Sequence, residues 1–222
     1  MEEEINAIKE YLTVTKATKI YELTFIEGLI SDKECVIVEG GVGKVNAART
    51  AQILIDNFKI DYLLNVGVAG GIDESLNVGD IVIGQRLVQH DFDITAFDHK
   101  KGYIPNIGDY INADEELVNL ANKVIKNTEN TLVKAGTIAS GDIFITDQNI
   151  TKEINKEFAA LCVEMEGASI AQVAKLCNIP FLILRSISDV PNNNNKVTYE
   201  EFLEESTKII AKVVNNLLKE LN

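Results

Sequence analysis

Short apolar runs rich in valine and isoleucine alternate along the chain with segments whose apolar residues recur at a helical period. This alternation is typical of β-α units on a mostly parallel sheet. Strands are predicted near residues 18–26, 34–39, 60–67, 79–89, 131–139, 160–165 and 180–186. Helices are predicted near residues 2–13, 43–58, 113–127, 147–157, 166–178 and 199–221. The pattern predicts a single α/β domain over residues 1–222, with a central mixed, mostly parallel, twisted β-sheet flanked by helices.

Length, charge and cysteine usage narrow the class of protein. The 222 residues fit one domain, and no apolar run approaches the ~18 residues needed to cross a bilayer. A formal net charge of −13 argues against polyanionic partners, so neither nucleic acid nor a membrane surface is expected as a partner. The acidic start is the reverse of a secretory signal, and the three cysteines lie in apolar segments without a CxxC pair. A cytoplasmic protein with reduced thiols is expected.

Two predicted strands run into glycine-rich turns. "VEGGVGKVNAA" begins at Val38 and "LLNVGVAGGID" begins at Leu63. The first is not a phosphate-binding P-loop, because that motif needs glycine where Val38 stands and serine or threonine where Val45 stands. Glycine-rich turns at the carboxyl ends of parallel strands let backbone amides approach a ligand, although a tight turn alone has the same pattern.

Polar and aromatic residues follow two further predicted strands. In "ASGDIFIT", Phe144 either packs onto the core or forms an apolar wall for a flat ligand. In "FLILRSISDV", an apolar strand ends in Arg185 and Asp189, which are costly to bury unless they are paired or hydrogen-bonded. These two side chains either form a structural ion pair or point into a crevice. In a crevice, an environment that raised the pKa of Asp189 would let it hold or deliver a proton.

Two carboxylates, Glu164 and Glu166, flank Met165 in the otherwise apolar and small-residue segment "LCVEMEGASIAQVAKLC". Glu164 closes a predicted strand, whereas Glu166 opens a predicted helix. Residues two apart share a face of a strand but need not do so across a strand-to-helix junction, so one glutamate can be structural and the other functional. An ionised carboxylate at Glu166 suits a vicinal diol, because it accepts two hydrogen bonds. The strand ends together predict an active site.

These segments resemble the purine and uridine phosphorylase superfamily and, within it, the 5′-methylthioadenosine/S-adenosylhomocysteine nucleosidases. The resemblance covers nearly the whole chain, in order, through "MEEE", "GGVGKVNAA", "NVGVAGGIDESLNVGDIVIG", "HDFDITAF", "SGDIFI", "VEMEGASIAQVA" and "RSISDV". It implies a nucleoside phosphorylase-like fold and hydrolysis of the N-glycosidic bond of these nucleosides to adenine and the 5-thioribose product. It also implies a small-molecule nucleoside substrate, no metal or organic cofactor, and a homodimer whose active site is completed by the neighbouring subunit.

The resemblance assigns a role to each candidate residue. Asp189, supported by Ser188, is similar to the aspartate that binds adenine N6 and N7 and acts as general acid toward N7. Glu4 is similar to the glutamate that deprotonates the attacking water, and Arg185 to the arginine near that water. The residues implied to bind substrate are Glu166 and Met165 at the ribose, Phe144 and Ile145 at the adenine, Phe97, His99 and Pro105 at the 5′-substituent from the neighbouring subunit, and Tyr199, where the family often has phenylalanine.

Three features depart from the family pattern. The family has a short apolar strand immediately before "MEEE", whereas this sequence begins at Met1, so the natural protein is expected to extend upstream by a first strand. Val68 replaces the serine or threonine commonly found before "AGG", which removes a hydroxyl near the water and the ribose. His99 replaces an aromatic residue, which leaves the preferred 5′-substituent open, futalosine-type substrates included.

Two other functions stay open from the sequence. A phosphate-dependent purine nucleoside phosphorylase would use phosphate in place of water, and the acidic residues Glu2–Glu4 argue against it because they would repel phosphate. A catalytically impaired nucleoside-binding protein would keep the pocket without the reaction, and Val68 together with the absent first strand makes that alternative worth testing.

Overall fold

The computed structural model describes residues 2–128, 131–190 and 195–221, and the side chains of residues 3–126, 131–190 and 202–221. The strands are β1 (Thr13–Ile20), β2 (Leu23–Ile30), β3 (Lys33–Ile37), β4 (Leu63–Gly71), β5 (Ile81–Gln89), β6 (Ile111–Asn112), β7 (Val133–Ser140), β8 (Ala160–Glu164) and β9 (Phe181–Asp189). The helices are α1 (Glu2–Lys9), α2 (Lys44–Asn57), α3 (Glu115–Thr128), α4 (Gln148–Phe158), α5 (Gly167–Leu176) and α6 (Asn195–Glu220), with a short 3₁₀ turn at Thr95–Phe97.

A three-stranded antiparallel sheet, ordered β1-β2-β3, differs from the prediction for this part of the chain. The predicted single strand 18–26 is wrong, because the chain reverses at Tyr21, whose φ is 55°, and continues as a second strand. The predicted helix 2–13 ends early, at Lys9. The physical reason lies in β1, "TVTKATKI", which is mostly exposed and carries no apolar run that would mark it as a strand.

The second sheet has the strand order β6-β5-β7-β8-β4-β9, and β5 also pairs with β9, so five of its strands close into a barrel. Its longest ladders are parallel, β4 with β9 and β5 with β7, whereas β4 with β8 and β5 with β9 run antiparallel. The mixed α/β architecture with flanking helices is confirmed. The closure of the sheet was not part of the prediction, because it depends on pairing between strands far apart in sequence.

Helices pack against both faces of this sheet. Ile210, Val213 and Leu217 of α6 are fully buried in a cluster with Leu182 and Leu184 of β9, and each large side chain buried in this way contributes about 1.5–3 kcal/mol to folding. Alanines of α2 and α5 are buried in a second cluster, where small side chains allow the two helices to approach closely. Among the described residues, no helix combines the length and the apolar composition that a membrane crossing requires.

The strand pairings bring several carboxyl ends to one place. β4 and β8 pair only at their carboxyl ends, with Gly70 opposite Val163. The parallel ladders then set Ser140 beside Glu164 and Gly70 beside Asp189. The polar ends of β4, β7, β8 and β9 therefore meet, as the ends of parallel strands do in other α/β folds with ligand crevices.

Candidate active site

A cavity of about 760 Å³ opens where these strand ends meet, within the usual size range of small-molecule sites. The predicted site residues that line it are Glu4, Val68, Phe144, Ile145, Met165, Glu166, Arg185, Ser188 and Asp189. The cavity also reaches between β3 and β4, where Val36, Ile37, Leu64 and Val66 form its wall. The structure therefore gathers into one space residues contributed by α1, by β4, by the turn after β7, by the β8–α5 junction and by β9.

Glu164 is held on all sides by the protein. Its Oε2 accepts hydrogen bonds from Arg185 Nη2 at 2.5 Å, from the Gly167 amide at 2.7 Å and from the Glu166 amide at 3.2 Å. Its Oε1 accepts from the hydroxyl of Ser140. Because an ionised carboxylate has about four acceptor positions, this carboxylate is saturated by structural partners. Glu164 is the structural member of the glutamate pair, and it fixes the turn from β8 into α5.

Arg185 lies in the same buried network. Its guanidinium donates to Asn65 Oδ1 at 2.5 Å and to the Leu184 carbonyl at 2.9 Å, and only 2% of the side chain is exposed. Burial acts to lower the pKa of Arg185, but the charges of Glu164 and Glu166 outweigh it and hold the pKa above its ordinary value. The sequence left open an ion pair between Arg185 and Asp189. The carboxylate that pairs with Arg185 in the structure is Glu164, and Arg185 and Asp189 both line the cavity.

Glu166 stands at the start of α5 and lines the cavity. Its Oε1 accepts a hydrogen bond of 2.8 Å from the backbone amide of Gly43, the residue before α2. Burial and the charge of Glu164 raise the pKa of Glu166, while the Gly43 amide and the Arg185 charge act in the opposite direction. The carboxylate keeps acceptor capacity on the cavity side for a bound ligand.

Glu4 reaches across from α1 to the end of β4. Its Oε1 accepts from the backbone amide of Val68 at 3.2 Å. A Cβ atom at Gly67 would lie 2.6 Å from the same oxygen and 3.8 Å from Cζ of Arg185, so only glycine permits this approach. The contact uses the Val68 amide, so the missing hydroxyl at this position does not affect it.

Asp189 ends β9 and is almost completely buried, with 3% exposure. Ser188 donates a 2.9 Å hydrogen bond from its hydroxyl to Oδ1 of Asp189. The same hydroxyl lies 3.4 Å from the Ala69 carbonyl, which ties the end of β9 to β4. Ser188 therefore contacts Asp189 directly, and its role in supporting a general acid stays a prediction.

Phe97, His99 and Pro105 are not among the described residues that line this cavity in the single chain. Phe97, His99 and Pro105 are exposed on the excursion between β5 and β6, and the His99 ring stacks on Tyr103 with centroids 4.4 Å apart. The side chain of Tyr199 lies outside the described residues. The predicted role of Phe97, His99 and Pro105 in a neighbouring subunit's site stays a prediction.

Three charged residues beside the cavity were not predicted from the sequence. Lys44, Asp91 and Asp142 join the start of α2 to the segments after β5 and β7. Each stands within two residues of a glycine turn or a strand end. This position is the sequence signal that would have indicated them as site residues. Within the described part of the chain, no three histidine, cysteine or acidic side chains are placed to hold a metal ion.

Comparison with known proteins decides the family. A family profile described as the phosphorylase superfamily matches residues 1–221. The chain belongs to the phosphorylase superfamily. The family resemblance of the sequence motifs is therefore confirmed, and the shared sequence extends over the whole length of the chain.

Relatives in the superfamily cover the chain from end to end. A 5′-methylthioadenosine/S-adenosylhomocysteine nucleosidase of Bacillus licheniformis is 39% identical over 223 residues, which cover 100% of this chain and 96% of the relative. The nucleosidase of Neisseria meningitidis in complex with methylthio-immucillin-A matches with a TM-score of 0.96 and 35% identity, covering 100% of this chain and 96% of that one. A futalosine hydrolase of Helicobacter pylori matches with a TM-score of 0.95 and 35% identity, covering 100% and 95%. The nucleoside phosphorylase-like fold is thereby confirmed.

Proposed function

We propose that this member of the phosphorylase superfamily hydrolyses the N-glycosidic bond of 5′-methylthioadenosine and S-adenosylhomocysteine, releasing adenine and the 5-thioribose product. The observation that carries the proposal is one cavity that holds Asp189 at the end of β9, Glu4 against the Val68 amide, and Glu166 at the start of α5. Nucleosidases of this name, similar over the full chain, support the same reaction.

Cleavage of an N-glycosidic bond makes the ribose resemble an oxocarbenium ion and leaves negative charge on the purine. In the proposed mechanism, Asp189 donates a proton to N7, so the adenine departs neutral when the bond to C1′ breaks. Glu4 accepts a proton from the water whose oxygen bonds to C1′. A positioned acid or base contributes typically 10²–10⁴-fold to such a reaction. The division between an acid and a base carboxylate parallels that of inverting glycosidases.

Recognition of the sugar falls to Glu166, with Met165 beside it. An ionised carboxylate accepts hydrogen bonds from two neighbouring hydroxyls, and the Gly43 amide occupies only part of its capacity. Phe144 and Ile145 line the cavity and form the adenine wall in this proposal. An aspartate at position 189 suits a 6-aminopurine, because its carboxylate accepts a hydrogen bond from the amino group.

Water rather than phosphate fits the charges around the proposed attack site. Arg185 is the cation among the described residues that line the cavity, and Glu164 balances its charge at 2.5 Å. Glu4 and Glu166 add negative charge to the same space. A phosphate dianion would meet carboxylates without a matching excess of cations, and like charges in a partly buried site repel strongly.

The test is adenine release from 5′-methylthioadenosine, measured in phosphate-free buffer and again with phosphate added. We expect equal rates and a free 5-thioribose product. Strict dependence on phosphate would overturn hydrolysis in favour of a phosphorylase. If no adenine forms at high enzyme concentration while adenosine analogues still raise the melting temperature, the protein is a nucleoside-binding protein. Adenosines with methylthio, homocysteinyl and futalosine-type 5′-substituents in the same assay determine the preferred substrate.

The pH dependence of sugar recognition is expected to report on Glu166. Because burial and Glu164 raise its pKa, Glu166 gains its proton at a higher pH than an ordinary glutamate, and the protonated form accepts fewer hydrogen bonds. We expect kcat/KM for 5′-methylthioadenosine to fall as the pH is lowered through this raised pKa. Glu166→Gln should increase KM about tenfold to a hundredfold, the loss expected for hydrogen bonds to a charged group, and should remove this acid limb.

The raised pKa of Glu166 also makes the free energy of unfolding depend on pH. Folded protein binds the Glu166 proton more tightly than unfolded protein does, so this group favours the fold at low pH and the benefit is lost as the pH rises through the raised pKa. The Gln variant should show a smaller loss of unfolding free energy over that window. Glu157→Gln, an exposed change on α4, is the matched control. An unchanged KM and acid limb in Glu166→Gln would return Glu166 to a structural role.

We further propose a cytoplasmic homodimer in which Phe97, His99 and Pro105 of one subunit close the cavity of the other. Support comes from Phe97, which is 75% exposed in the single chain, and from exposed Val42, Ile143 and Phe144 on the cavity wall. Exposed apolar residues clustered in this way mark interaction surfaces. Sedimentation analysis that shows a fully active monomer at assay concentration would contradict the dimer.

A further inference from the structure

The first turn of α2 is held by side chains from two other parts of the chain. Gly43 precedes the helix with φ 90°. As a glycine it has no side chain that could cap the amides of the first turn. The amide of Gly43 donates to Glu166 Oε1 at 2.8 Å, and that of Lys44 donates to Asp142 Oδ1 at 2.7 Å. Two distant carboxylates thereby satisfy amides that a helix start leaves without partners.

A closed set of contacts ties this helix start to the strand ends. The Lys44 ammonium donates to Asp91 Oδ1 at 2.7 Å, with only 18% and 21% of the two side chains exposed. The other oxygen of Asp91 accepts from the Asp142 amide at 3.0 Å. Because Asp142 in turn accepts from the Lys44 amide, these three residues form a ring that we call the α2 clamp, joining α2 to the segments after β5 and β7.

The residues around the α2 clamp are closely packed. A Cβ atom at Gly141 would lie 2.2 Å from Nε2 of the buried His90, and one at Gly43 would lie 3.1 Å from Asp142 Oδ1. Burial by itself would raise the pKa of Asp91, but the bonds from Lys44 and from the Asp142 amide bring it below the ordinary value. Asp91 therefore keeps its negative charge beside Lys44 at neutral pH, and the clamp is closely packed against its neighbours.

The ionisation and orientation of Glu166 depend on the Gly43 amide, which lies next to the α2 clamp. The charges of Glu164 and Glu4 oppose its ionisation, whereas the Gly43 amide and the charge of Arg185 favour it. The Gly43 amide also restrains one carboxylate oxygen and so fixes the direction of the other. Lys44 and Asp91 are absent from the residues that line the cavity, so any effect they have on a bound sugar passes through Gly43 and Glu166.

We propose that Lys44 and Asp91 are positioning residues for the ribose, which hold the Gly43 amide against Glu166 and so keep this carboxylate oriented for the two sugar hydroxyls. The proposal rests on the proposed function, because it assigns the sugar to Glu166. It concerns recognition of the ribose, whereas the proton transfers stay with Asp189 and Glu4.

Lys44→Met removes the ammonium and keeps most of the length of the side chain. We expect KM for 5′-methylthioadenosine to rise about tenfold, as for a charge-assisted contact that fixes a ligand group, with a smaller change in kcat. The acid limb of kcat/KM should move to higher pH, since losing the Gly43 bond removes one cause that lowers the pKa of Glu166. Lys44→Arg should restore most of the affinity, and Lys152→Met, an exposed change on α4, should have no effect.

Two comparisons separate positioning from a general loss of packing. With a 2′-deoxy substrate, which offers Glu166 one hydroxyl fewer, Lys44→Met should differ from the wild type by much less than tenfold. The double variant Lys44→Met/Glu166→Gln should be no worse than Glu166→Gln alone. Equal losses with both substrates, additive losses in the double variant, or an unmoved acid limb would each overturn the proposal.

Failure of the proposed function can be distinguished from failure of the clamp proposal. A wild-type protein that releases no adenine contradicts hydrolysis, and the clamp is then tested by calorimetric binding of adenosine and 2′-deoxyadenosine to the wild type and to Lys44→Met. A loss of affinity confined to adenosine supports the clamp, and an equal loss or no loss overturns it.

Discussion

Asp189→Asn is expected to lower kcat for 5′-methylthioadenosine by about two to four orders of magnitude while the fold is retained. Asparagine has nearly the same shape and still accepts the 2.9 Å hydrogen bond from Ser188. Its amide can donate a hydrogen bond but has no acidic proton to transfer to N7, so the adenine would have to leave as an anion. Steady-state kinetics of adenine release and a thermal melt of the same sample measure the two halves of this expectation.

A change of leaving group makes this prediction sharper. A p-nitrophenyl 5-methylthioriboside releases p-nitrophenolate, a stable anion that needs little help from an acid, so Asp189→Asn should impair its cleavage far less. Asp61→Asn, an exposed change just before β4 and outside the cavity, is the matched control. Near-normal release of adenine by the Asn variant, or equal impairment with both leaving groups, would remove Asp189 from the role of general acid.

Glu164→Leu is expected to lower the free energy of unfolding by about 3–5 kcal/mol, the usual cost of leaving a buried charge without its partner. Arg185 would remain 2% exposed with no carboxylate against it, and the amide of Gly167 and the hydroxyl of Ser140 would each lose an acceptor. Urea unfolding should show a lower midpoint with an unchanged slope, which marks a loss of stability within the same transition.

The double variant Glu164→Leu/Arg185→Met separates the ion pair from the packing around it. Removing both charges should cost less than the sum of the two single changes, because neither leaves a buried partner behind. Glu164→Gln keeps an acceptor for the Gly167 amide and covers the case in which the Leu variant does not fold. Additive losses, or a loss below about 1 kcal/mol in Glu164→Leu, would show that the pair does not stabilise the fold.

Local patterns in the sequence were enough to predict several strands of the barrel and the helix α6. β4 and β9 are apolar runs of strand length, and α6 repeats its apolar residues at a helical period, so each was predicted near its observed position, although α6 begins earlier, at Asn195. β1 was missed because its threonines and lysines are exposed on both faces, which leaves no period for a sequence pattern to show. The excursion after β5 was predicted as irregular and contains only the 3₁₀ turn and the short β6.

The two glutamates of "VEMEG" show where sequence reasoning ends. Two residues of spacing across a strand-to-helix junction did not determine which of them would face a ligand, and only the family resemblance favoured Glu166. In the fold, Ser140 and Arg185 come from the neighbouring parts of the chain to saturate Glu164, and the Gly43 amide reaches Glu166 across 123 residues. The upstream strand that the family pattern implies stays a prediction.

By itself the sequence determined the fold class, the family and the position of the polar residues at the strand ends, because these follow from local composition and from motifs within single segments. The tertiary structure alone decided that the sheet closes, that Arg185 pairs with Glu164, and that Lys44 meets Asp91 beside Glu166. Those contacts join residues on different elements of the fold, and their partners depend on strand order and register, which arise only when the whole core packs together.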